Sequence, residues 1–228
     1  MTTIPVAAGA NRFAWDFRRT DPTPIPGAFY SDDGPRGPVV NPGHYQVRLT
    51  VKGKSETAPL DVILDPRLKG QVTDRDLAEL DGLAMQTWTD IEALHVAVNH
   101  IRDTKSKLDT LRKWAGDSAS AKPVLDAAKA LEDKMASIEG RLVQVKMAAS
   151  EDNLRYPNML NEQYDTFISL IDGEWAPTEG QRQVYAYLHS ELSGELAKWH
   201  ALETSDIPAL NKLMHANGVP ALGDFGAK

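Results

Sequence analysis

A chain of 228 residues with 42% hydrophobic and 25% charged side chains can build one large domain or two small ones, which excludes disorder of the whole. A net charge of -7 and a pI near 5.4 exclude a broad basic face that neutralises phosphates, so no nucleic-acid partner is expected. No apolar run is long enough for a membrane span, no basic-then-apolar leader is visible, and the lack of cysteine removes disulfides, thiolate nucleophiles and Cys-ligated zinc together.

Residues 1–9 read as a lead-in. Nine of the fourteen prolines fall in the first 67 residues, and the texture then changes to helical periodicity, so a domain boundary is expected at about Arg67 to Val72. Asn11 to Arg18 sets Phe13, Trp15 and Phe17 against Arg12, Asp16 and Arg18, a period-2 pattern that predicts a strand with one buried face. Thr20 to Pro42 holds six prolines and three glycines and reads as a long irregular loop with a short strand at Ala28 to Tyr30. His44 to Val51 and Ser55 to Leu64, joined at Lys52-Gly53, predict a β-hairpin. Residues 10–68 are therefore expected to form a small antiparallel β-sandwich.

Thr73 with Asp76 makes a capping box for one helix running to Ala115, roughly 60 Å long at ~1.5 Å per residue. Its two heptad positions, Leu77 to Arg112 and Leu80 to Ala115, are apolar at nine of twelve places, interrupted by Thr87, Lys105 and Arg112. Pro123 opens a second helix expected to reach Ser150 as its antiparallel neighbour. Pro157 starts a third helix ending at Gly173. Thr178 and Gln181 cap a fourth to Leu202, and Ser205 caps a short fifth to Asn217. The fold class is thus α+β and mostly helical: the small sandwich, then an antiparallel four-helix bundle over 72–217 with a short fifth helix, and a loose tail at 218–228.

Few residues suggest chemistry. Glu92 and His95 have the Glu-x-x-His spacing of carboxylate-bridged di-metal bundles, but no second such pair exists, so His95 is expected as a packing residue with a hydrogen-bonded ring. Asp21, Asp32 and Asp33 could pair for glycoside chemistry or bind calcium, yet Asp-Asp-Gly more often makes a turn. Gly53-Lys54-Ser55 lacks the earlier glycine of a phosphate loop, Arg48 standing there instead. The five tryptophans read as packing residues rather than a sugar-stacking platform. No catalytic, cofactor or metal site is assigned.

Asn11-Arg-Phe-Ala-Trp-Asp16, the Pro42-Gly-His-Tyr-Gln-Val-Arg-Leu49 segment, Asp65-Pro66-Arg67 and the Thr73-Asp-Arg-Asp-Leu77 helix start resemble the C-terminal portion of bacterial sortilin-like β-propeller proteins, often labelled BNR-repeat glycosyl hydrolases. The resemblance extends through Tyr156-Pro157 and Asp206 to Leu213 and implies an Ig-like or fibronectin-like sandwich followed by a helical bundle. No propeller repeat is present, so no hydrolase residue carries over. The resemblance implies a periplasmic or extracellular home and a noncatalytic interaction or scaffold role beside a propeller. A carbohydrate-binding accessory of a glycoside hydrolase is the alternative, and a metal-dependent bundle enzyme a remote one. An Ig-like sandwich takes about seven strands, more than residues 1–68 supply. An open sheet edge at Asn11 to Arg18 is therefore expected, covered by Thr3 to Ala8, the Pro-rich loop, the long helix or a second copy of the chain.

Overall fold

The computed structural model describes residues 6–30, 34–116, 118 and 121–225. Its elements are a hairpin of β1 (Gly43–Val51) and β2 (Lys54–Val62), then α1 (Asp74–Ala115), α2 (Lys122–Leu142), α3 (Leu160–Leu170), α4 (Glu179–Ala201) and α5 (Ile207–Ala216).

α1 starts as its capping box dictates. Thr73 Oγ1 accepts from the Asp76 N–H, and the Asp76 carboxylate accepts from the Thr73 N–H at 2.9 Å. The helix runs for 42 residues because no proline interrupts it and Gly82 faces open space. The seam is buried as the heptads predict, with Leu94 at 0% exposure and Ile138 of α2 at 4%. Where Lys105 and Arg112 interrupt it, acids of α2 meet them. Glu139 takes Arg102 at 2.8 Å and Lys105 at 2.6 Å, and Glu132 pairs with Arg112.

The helices pack as three rods rather than four abreast. α2 and α3 run end to end, both antiparallel to α1: Glu139 lies beside Lys105, Asn161 beside His95 and Tyr164 beside Asp90. α2 stops at Leu142, short of the expected Ser150, and Val145 beyond it is exposed. Buried Gln144 redirects the chain there by donating to Pro157 O at 2.9 Å. α4 runs parallel to α1, matching Arg182 to Glu79, His189 to Asp90 and His200 and His100 to Glu203. Ser205 is no cap: α4 continues into α5 through a π-helical turn at Leu202–Asp206, which accommodates Pro208, a residue with no N–H to give. Part of the expected loose tail is packed, since Val219 and Leu222 are buried and the Leu222 N–H donates to Asn211 at 2.8 Å.

A sandwich is not present among the described residues; the one sheet has two strands. Asn11 to Arg18 is no strand. Phe17 adopts a left-handed backbone (φ 62°), which turns the chain, and pairing is confined to a clip in which Arg19 N–H donates to Pro38 O and Val40 N–H to Phe17 O. Gly37 sits inside this clip, where a Cβ would meet Arg19 O at 2.1 Å. Ala28 to Tyr30 is no strand either, the Ala28 N–H turning back to Ile25 O at 3.1 Å. The Pro-rich segment instead lies as a strap along α1. Its prolines offer carbonyls and no N–H groups, and α1 supplies the donors: Trp88 to Thr20 O, His95 to Thr23 O, Asn99 to Pro24 O and Arg102 to Pro26 O. Ile25 is buried in the core beneath it.

Candidate functional site

The hairpin turns at Lys52 (φ 47°) and Gly53 (φ 80°), both left-handed, which is the type I′ geometry that matches strand twist. The Gly53-Lys54-Ser55 triplet is thus a turn. Alternation places Tyr45, Val47, Leu49 and Val51 with Ala58, Leu60 and Val62 on one face, which takes Glu56 and Lys54 toward the tip. The opposite face is polar, with His44 Nδ1 2.6 Å from Asp61 and Thr50 bonded to Ser55. The apolar face is largely uncovered: Val47, Leu49 and Val51 are exposed.

At the base of the hairpin that face runs into a cleft of about 560 Å³ between the strand ends, the clip, the start of α1 and the end of α3. Leu77, Leu80, Ala84, Ile168 and Ile171 line the bundle side, and Val40, Val62 and Leu64 the hairpin side. Trp15 joins the two surfaces, its ring 5.3 Å from Phe17 and 6.4 Å from Tyr45, tilted by 53° and 68°. Three pairs of opposite charge stand at the rim, Arg18 with Asp172, Arg19 with Asp81 at 2.7 Å, and Asp65 with Arg67, and the acids Asp61 and Glu174 line it as well. The Arg67 guanidinium holds the half-buried Asp65 carboxyl down at about 2. An apolar floor of this size inside a largely paired rim suits apolar side chains.

The described residues singled out from the sequence for chemistry lie elsewhere and are occupied. Glu92 accepts from Thr23 N at 2.6 Å and from Thr23 Oγ1 at 2.7 Å. His95 places Nδ1 2.5 Å from Thr23 O and Nε2 2.8 Å from the Asn161 side chain, and burial lowers its pKa against the opposing pull of those bonds. The Glu-x-x-His pair therefore pins the strap. Asp21 accepts from the Gly37 N–H at 2.9 Å and braces the clip, while Asp32 and Asp33 lie outside the described residues. Among the described residues no three His, Asp or Glu side chains converge as metal ligands. Of the five tryptophans Trp199 alone is buried; Trp114 and Trp175 are exposed at 54%.

One cluster escaped the sequence reading. Asp90, buried between α1, α3 and α4, accepts from Tyr164 OH at 2.8 Å and His189 Nδ1–H at 2.9 Å, beside a shallow groove lined by Met85, Gln86, Thr89 and Tyr185. Burial and then the Asp90 charge push the Tyr164 hydroxyl far up, and burial lifts Tyr185 to about 12. A carboxylate orienting a histidine resembles a general-base pair, and the nearby Thr89 Oγ1 is already engaged, donating to Met85 O at 2.8 Å. The cluster satisfies a buried carboxylate and ties three helices together. In comparisons with known proteins, no family profile, no curated protein and no solved structure matches the chain.

Proposed function

We propose that the chain is a noncatalytic interaction module, the C-terminal accessory part of a larger exported assembly of the sortilin-like propeller type, acting in the periplasm or outside the cell. One observation carries the docking role: the hairpin's apolar face is uncovered and continuous with an apolar cleft, on an arm whose base Asn41 and Arg19 tie to Leu77 O and Asp81 of α1. A two-stranded hairpin is at best marginal alone in water, so a partner that covers the face stabilises the arm as well as binding it. The assembly and the compartment rest on the sequence resemblance.

Cross-linking the native assembly through Lys52 and Lys54 at the hairpin tip, with Lys122 and Lys129 on α2 as the comparison, tests the reading. Cross-links to another chain are expected to concentrate at the tip. Cross-links concentrated on α2 would overturn it. The carbohydrate alternative predicts saturable binding on a glycan array, but the mutual tilts of Trp15, Phe17 and Tyr45 do not make a flat stacking surface.

A further inference from the structure

We infer that the outer edge of β1 takes up an extended segment of a different polypeptide, with alternating apolar side chains and an acidic residue opposite Arg48. This rests on the docking role above and names its partner's chemistry. The turn fixes which backbone groups the hairpin uses internally. In a two-residue type I′ hairpin Val51 and Lys54 close the turn as a hydrogen-bonded pair, so 49, 47, 45 and 43 also bond to β2. The N–H and C=O groups of His44, Gln46, Arg48 and Thr50 then point away from it. Among the described residues no further strand takes them up. The β2 edge is different: Pro59 stands opposite Gln46, so the N–H it lacks is an outward one and that edge is broken at its centre.

Charge selects the occupant. Arg48 faces Thr57 across the hairpin, and among the described residues it forms no ion pair, nor do Lys52 and Lys54. A second copy is a poor match, because Gly43–Val51 contains no acid. Pairing β1 with β1 about a two-fold axis sets Arg48 against His44, Gln46, Thr50 or another Arg48, according to register. Pairing β1 with another copy's β2 would offer Asp61, but only through the edge that Pro59 breaks, and as a head-to-tail contact that need not close. An acid-bearing strand from another chain meets neither obstacle, and its apolar side chains widen the face of Tyr45, Val47 and Leu49.

Two capped peptides of nine residues, the length of β1, test this; they alternate Val and Thr and differ only in a central Glu or Lys on the polar face. The Glu peptide is expected to slow hydrogen exchange at the Gln46 and Arg48 amides and to bind about fivefold more tightly than the Lys peptide. Arg48→Glu should reverse that order, and Gln46→Pro, which removes an outward N–H and leaves the internal ladder intact, should abolish binding. Equal binding of the two peptides, or amide protection that rises with the concentration of the protein alone, overturns the inference. Binding kept by Gln46→Pro but lost on Leu49→Ser overturns strand addition while sparing the docking face. Binding indifferent to both variants overturns the two together.

Discussion

The bundle and the hairpin arm both carry regular apolar patterns, yet one is saturated and the other is not. Around α1 the seam residues meet α2, α3 and α4, and the strap closes the remaining side with Ile25 in the core and four carbonyls on α1 donors. Along β1 the alternation of Tyr45, Val47 and Leu49 is just as regular, but only Tyr45 finds cover, through Trp15 and a hydroxyl bond to Asn41 O at 2.7 Å. A pattern states which face wants burial; whether it is buried depends on what the rest of the chain can bring to it.

The sharpest way to break this comparison is at the centre of the seam. Leu94→Ala should cost about 2 to 5 kcal/mol in urea unfolding, as a cavity in a core too tightly held to collapse. An unchanged midpoint would mean that the bundle is as loosely packed as the arm.

The charged end of the seam comes next. Burial alone would raise the Glu139 pKa, but hydrogen bonds from Arg102 and Lys105 outweigh it and leave it lowered. Glu139→Ala should cost about 1 to 3 kcal/mol, because both cations stay partly hydrated at the rim. Since the folded pKa lies below the unfolded one, this stabilisation is present above the ordinary glutamate range and fades as pH falls through the folded value. The wild-type and variant stability curves should therefore converge toward low pH, and parallel curves would show that Glu139 is not the anchor.

His95 titrates the strap. Its pKa is lowered chiefly by burial, so the neutral ring is favoured in the folded state. As pH falls below about 6.5 the unfolded chain gains a proton that the folded chain resists, and stability drops by at most about 1.4 kcal/mol per pH unit. His95→Gln should flatten that slope between pH 5 and 7. Thr23 contributes no charge, and the nearby Glu92 carboxylate opposes the lowering. A slope unaltered by the substitution would place the proton elsewhere.

The helices were legible in the sequence because caps and periodicity are local: Thr73 with Asp76, and Thr178 with Gln181, mark true starts. Lys105 and Arg112 on the seam imply either a looser end or acids from the second helix, and Glu139 and Glu132 are those acids. What failed was non-local. Phe13, Trp15 and Phe17 alternate as a strand would, but no complementary strand exists among the described residues to receive them. A signal for the strap was present in Trp88, His95, Asn99 and Arg102, donors spaced by seven, four and three along one helix face, opposite a run whose three prolines leave it with more carbonyls than N–H groups. Asp90 was hidden because its partners, Tyr164 and His189, lie on two other helices.

The smallest expected effect completes the comparison, because it applies the same chemical change to the arm. Leu49 is 50% exposed, stands across from Glu56, and loses little contact on truncation, so Leu49→Ala should shift stability by no more than about 0.5 kcal/mol. The denaturant dependence should also stay unchanged, since no core is opened. Its effect belongs to docking: peptide or partner binding should weaken while the folded protein remains intact. A cost above about 1.5 kcal/mol would mean that the face is covered in solution. A dilution series would then separate the two possible covers, for a second copy loses its hold as concentration falls and a segment of the same chain does not.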